Sequence, residues 1–177
     1  MKLNTKSIAF IGVSAALTAV CSQIALPLPL GVPMTLQTFS IALAGYLLGK
    51  RDGTLSTIVF ILLGAAGAPV FAGFKGGISV LIGPTGGFLA GFILMALLCG
   101  IASDIKNKAA VILISLAGLA CAHIFGLIWL IHVSGTSLKN AFLLASAPFI
   151  IKDIISMIIA YIIASRISEA VFKNKRS

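Results

Sequence analysis

Acidic residues are scarce in this chain, and so are the side chains that do chemistry. Its 177 residues include four carboxylates, Asp52, Asp104, Asp153 and Glu169, and two histidines. No G-x-x-x-x-G-K-S/T run is present to cradle nucleotide phosphates, and no H-E-x-x-H or G-x-S-x-G appears. Paired carboxylates inside an apolar stretch are also missing. With no nucleophile set beside a base, an enzyme is not expected. Cys21, Cys99 and Cys121 lie in apolar segments without C-x-x-C spacing, so neither a disulfide framework nor a zinc site is expected. They read as small packing residues. His123 and His132 are nine residues apart on one apolar run, too far to ligate one metal. His123 reads as a packed, hydrogen-bonded histidine, and His132, near the end of the run, is a candidate to line a site. No metal and no resident cofactor is expected.

Apolar length is what the chain does have. Hydrophobic residues make up 59% of it and charged residues 10%, with a mean hydropathy of +1.15. Those values belong to an integral membrane protein. A hydrocarbon core about 30 Å thick takes roughly 20 helical residues per crossing, which leaves little chain for any extramembrane domain. The expected architecture is all-α, a single six-helix membrane domain over residues 1–177. Its spans fall at about 7–26, 35–49, 54–68, 86–103, 109–133 and 141–165. The first apolar run, Ile8 to Leu26, exceeds a signal-peptide core and counts as a retained helix. Pro27, Pro29, Gly31 and Pro33 end it, since prolines remove donors and push preceding residues out of the α region. Lys50-Arg51-Asp52-Gly53 reads as a tight charged turn, and residues 104–108 as another.

The net charge of +9 does not point to nucleic acid, because the basic residues cap apolar runs and form no polar face. Their distribution gives a topology instead. With the N-terminus inside, Lys2, Lys6, Lys50, Arg51, Lys106, Lys108, Arg166, Lys173, Lys175 and Arg176 share the cytoplasmic side, leaving Lys75 and Lys139 outside. Both termini are therefore expected to be cytoplasmic, with the basic tail solvated or against anionic membrane lipids.

Residues 69–85 carry Gly73, Gly76, Gly77, Gly83 and Pro84, too many breakers for a continuous helix. Non-helical apolar backbone needs cover. The segment is expected to be an external loop folded back over the bundle, with Phe71 and Phe74 pointing inward. The first helix carries Gly12, Ala15, Ala16 and Ala19, small side chains that suit close helix packing or the docking of a second protein.

Polar residues converge on the outer side: Thr35, Gln37 and Thr38 entering the second helix, Lys75 and Gly77 in the loop, and Lys152 with Asp153 in the last span. An ion pair inside an apolar run is a functional-site hypothesis by default. A mostly apolar pocket with a few such groups suits a small amphipathic ligand presenting N–H groups beside a carbonyl. Capping and packing explain Thr35 and Gln37 equally well.

Two runs carry a family resemblance. VPMTLQTFSIALAGYLLGKRDGTLS and LLGAAGAPVFAGFKGGISVLIGPTGGFLAGF together closely resemble the BioY family, the biotin-specific membrane (S) component of energy-coupling-factor (ECF) transporters. The resemblance implies a six-helix S-component fold that binds biotin at its outer face. It implies partners as well: a transmembrane coupling protein and two ATPase subunits, with Ala15 and Ala19 matching the small-residue motif that meets the coupling protein. On this reading Asp153 accepts from a ureido N–H, Gln37 and Thr35 bond other polar atoms, Phe71 and Phe74 cover the rings, and Lys75 or Lys152 neutralises the carboxylate. The family's last helix usually carries a lysine three residues after the aspartate. Here that position is Ser156, which lies within about 60° of Asp153 on the helix, whereas Lys152 points about 100° away. Two other readings stand beside it, a proton-coupled transporter working through Asp153 and an S component for another vitamin-like ligand.

Overall fold

The computed structural model describes residues 4–172. Helix α1 runs Thr5–Gln23 and is capped by Asn4, whose side chain accepts from the Ser7 N–H at 2.7 Å. A short antiparallel flap follows, β1 (Ala25–Leu26) paired with β2 (Met34–Thr35), with Ala25 opposite Thr35. The prolines between these strands thus shape a flap as well as ending a helix.

Helix α2 spans Gln37–Ala65 but is folded on itself at Gly49, whose φ of 80° and ψ of 176° only glycine adopts easily. The chain doubles back there. A Cβ on Gly53 would sit 2.7 Å from the Ala44 carbonyl oxygen, an approach that nine residues of straight helix would forbid. The expected turn at residues 50–53 is therefore corrected: the reversal is at Gly49, and Lys50 to Gly53 already belong to the second arm. The charged residues mark the exposed end of the hairpin, while glycine makes the bend.

The covering segment contains one short helix, α3 (Ile78–Ile82), before α4 (Gly86–Ala102). Helix α5 (Lys108–Ser134) is capped by Asn107 and ends at Gly135, in the left-handed region at φ 65°. The stretch expected as one span over residues 141–165 is instead two helices, α6 (Leu138–Ala145) and α7 (Ala147–Phe172). Pro148 gives the reason, since it cannot donate back to the preceding turn and is tolerated only near a helix start.

By length and composition α1, α5 and residues 147–170 of α7 are long and apolar enough to cross a membrane, and α4 is a shorter apolar helix. Three buried clusters form the core. The largest joins α2, α4, α5 and α7 through Ile41, Tyr46, Met95, Leu119 and Met157. A second joins the flap, α4, α5, α6 and α7 through Val32, Phe88, Leu130 and Phe149. The third sets Ala15 of α1 against Phe60, Phe71 and Leu89.

Candidate ligand-binding site

A cavity of about 300 Å³ lies where the three clusters meet, walled by Leu119, Phe88, Phe149, Phe71 and Leu89 and closed on one side by Val32 of the flap. Its walls are mostly apolar. Such a volume is at the small end of ligand pockets. Asp153 of α7 reaches it although the residue is only 4% exposed. A carboxylate so buried must be paired.

Two groups meet it. His123 of α5 places Nε2 3.3 Å from Oδ2, and its other ring nitrogen, Nδ1, is 2.8 Å from the Ser146 hydroxyl. Ser146 is buried in the break between α6 and α7, so the interruption enforced by Pro148 also supplies the hydroxyl that orients the imidazole. Lys152 contacts Oδ1, but its hydrogen bond goes to the Thr35 carbonyl at 2.7 Å. Oδ1 is fully buried and has the Lys152 ammonium as its ion-pair partner. The carboxylate is thus held between an ammonium and an imidazole at the cavity wall.

Thr35 and Gln37 form a local pair. The Thr35 hydroxyl donates to Gln37 Oε1 at 3.0 Å, and the Gln37 backbone N–H donates to Thr35 Oγ1 at 3.2 Å, closing the start of α2 beside the cavity. The loop expected over residues 69–85 does cover the cavity. Phe71 points in, 2% exposed, with its ring edge-on to Phe60 at 5.5 Å. On the far side Trp129 of α5 donates its indole N–H to the Gly83 carbonyl at 2.9 Å, holding the end of the loop where Pro84 and Thr85 line the cavity.

The BioY family model matches residues 1–173. The chain belongs to the BioY family. It is 41% identical over 159 residues to the biotin transporter BioY of Thermotoga maritima, covering 89% of this chain and 93% of that one. A probable biotin transporter BioY of Pyrococcus horikoshii is 39% identical over 165 residues, covering 93% and 98%. The fold is similar to the crystal structure of the S-component for biotin from an ECF-type ABC transporter, with a TM-score of 0.83, 27% identity and 95% of each chain covered.

In this BioY protein the residues singled out from sequence divide into two groups. Thr35, Gln37, Thr38, Phe71, Lys75, Lys152 and Asp153 line one cavity. Three others do not. Phe74 is 72% exposed and turned away, a correction to the expected inward ring; with Gly73 at φ 71° and Phe74 at φ 56°, the backbone flips between the two phenylalanines. Gly77 starts α3 and spends its N–H on the Gly64 carbonyl at 2.7 Å. Ser156 is buried in α7 outside the cavity lining. Lys152, one position before Asp153, reaches the carboxylate because its long stem curls back, which helix angles alone do not settle.

His123 was legible as hydrogen-bonded, but not as part of the site. One signal was available: a lone buried carboxylate needs a partner, and few titratable groups share its apolar environment. His132 is exposed, 6.1 Å from Trp129 between ring centres, and lies outside the cavity lining. On α1, Ala15 is 2% exposed against α2 and the loop, with Ala19 partly buried beside it. Ala9, Gly12 and Ala16 are exposed.

Proposed function

We propose that this chain is the biotin-binding subunit of a biotin uptake transporter, taking the vitamin into the cavity between α2, α4, α5 and α7. The observation that carries this reading is the buried Asp153, a carboxylate in the wall of an apolar space of ligand size in a member of the BioY family. A ureido N–H donates to the Asp153 carboxylate. Phe71, Phe88 and Phe149 enclose the fused rings, and Thr35 and Gln37 border the polar end. Lys152 is engaged by Thr35 and Asp153, whereas Lys75 is exposed at the rim with no carboxylate in reach among the described residues. Lys75 therefore receives the ligand carboxylate.

The finer architecture belongs to the same proposal. The chain crosses the cell membrane six times, counting the two arms of α2 separately, with both termini cytoplasmic by the distribution of Lys and Arg. A coupling protein and two ATPase subunits supply the energy, since the chain carries no nucleotide-binding motif. Docking uses the exposed small face of α1 at Gly12 and Ala16, three positions before the expected pair at Ala15 and Ala19, of which Ala15 is committed to the core.

Calorimetric titration of the purified chain with biotin tests the reading, together with mass spectrometry of any ligand that co-purifies. Saturable binding at micromolar concentration or tighter is expected. Binding no better than millimolar, or competition by riboflavin or thiamine with no response to biotin, overturns it. The contact between His123 and Asp153 also favours a proton-coupled transporter. Uptake by vesicles holding this chain alone, abolished when the proton gradient is dissipated, would establish that second reading.

A further inference from the structure

The cavity's cover contains a backbone conformation that does not hold itself. Phe71 and Lys75 exchange both backbone hydrogen bonds, at 3.0 and 3.2 Å, closing a three-residue turn. Within it Phe74, which is not glycine, sits at a φ of 56°. The left-handed region costs an L-residue roughly 1–2 kcal/mol, so something outside the turn must favour it.

That something is the last residue of α1. Gln23 Oε1 accepts the Phe74 N–H at 2.9 Å, while Nε2 donates to the carbonyls of Val70 and Phe71, each at 3.2 Å, and to Ala19 of its own helix at 3.1 Å. One carboxamide thus acts as donor and acceptor on both sides of the turn that carries Phe71 and Lys75 to the cavity. A carboxylate cannot donate and an ammonium cannot accept, so the pattern is specific to an amide. The far end of the cover hangs on a different helix, through Trp129 and Gly83.

We propose that Gln23 is a positioning residue that latches the cover from α1, and so sets how slowly a bound ligand leaves. The proposal rests on the reading that the cavity takes biotin. Because α1 packs mainly against α2 and leaves its outer face exposed, the latch is carried by a helix at the margin of the bundle. Closure of the site therefore follows the position of α1.

Gln23→Met keeps the side chain's length and removes every hydrogen bond it makes to the cover. In the purified full-length protein, release of labelled biotin is expected to accelerate about tenfold or more, the scale of one or two lost hydrogen bonds. Trypsin cleavage after Lys75 in the ligand-free protein should also quicken, with cleavage after Lys139 unchanged. Gln23→Glu, which retains the acceptor for Phe74 and loses the donors, should fall between. Release and Lys75 cleavage matching the parent would overturn the latch. So would a parallel rise at Lys139, which would mark general loosening. If the parent protein binds no biotin, the functional reading fails, while the two cleavage rates still decide the latch.

Discussion

Asp153 concentrates the molecule's chemistry in one side chain. Burial of a lone carboxylate is unfavourable, and here the imidazole of His123 and the ammonium of Lys152 offset it. Asp153→Asn keeps the shape and removes the charge that strengthens a ligand N–H bond. Biotin affinity is expected to fall by about 1.5–3 kcal/mol, to be read by isothermal titration; unchanged affinity would remove Asp153 from the site. Lys75 acts at the rim, where solvent weakens charge pairing. Lys75→Met should cost about 0.2–1 kcal/mol for biotin and nothing for its methyl ester, so the comparison of the two ligands isolates the carboxylate.

Among the elements, α2 shows how a short sequence sets the architecture. Its hairpin brings Gly45 so close to α4 that a Cβ there would lie 2.7 Å from the Ala96 carbonyl oxygen and 2.8 Å from Cys99 Cβ. Gly45→Leu has backbone to displace and should lower the thermal unfolding midpoint in detergent by several degrees or prevent folding; a midpoint at the parent's value would show the two helices can part freely. The reversal itself was legible to within a residue or two, because glycine and charge cluster between the two apolar runs. The break before α7 was not read, since hydropathy continues unchanged across Ser146 and only Pro148 marks it. Phe71 and Phe74 looked alike in sequence; two positive φ angles send them to opposite sides, and nothing local in composition tells which faces in. The Thr35–Gln37 entry to α2 was read from its polar residues. His123 was not placed with Asp153, because their meeting depends on how α5 and α7 cross.

For the whole molecule, the proposed reading puts ligand binding and the docking of the coupling protein on different surfaces. The cavity opens near the flap and the cover, while the exposed small residues Gly12 and Ala16 lie on the outer face of α1. Ala16→Leu is expected to reduce co-purification with the coupling protein and uptake by at least about tenfold, while biotin affinity measured on the isolated chain stays within twofold; equal loss of both would place the defect inside the bundle.

The placement of the cavity has a thermodynamic consequence. Three separate apolar clusters approach one another there and are joined across empty space, so whatever fills that space becomes shared interior for all of them. An occupant contacts all of them at once, on helices that the largest cluster already joins. Amide exchange should accordingly slow across α2, α4, α5 and α7 together when the site is filled, making the transported molecule the final piece of its carrier's hydrophobic core.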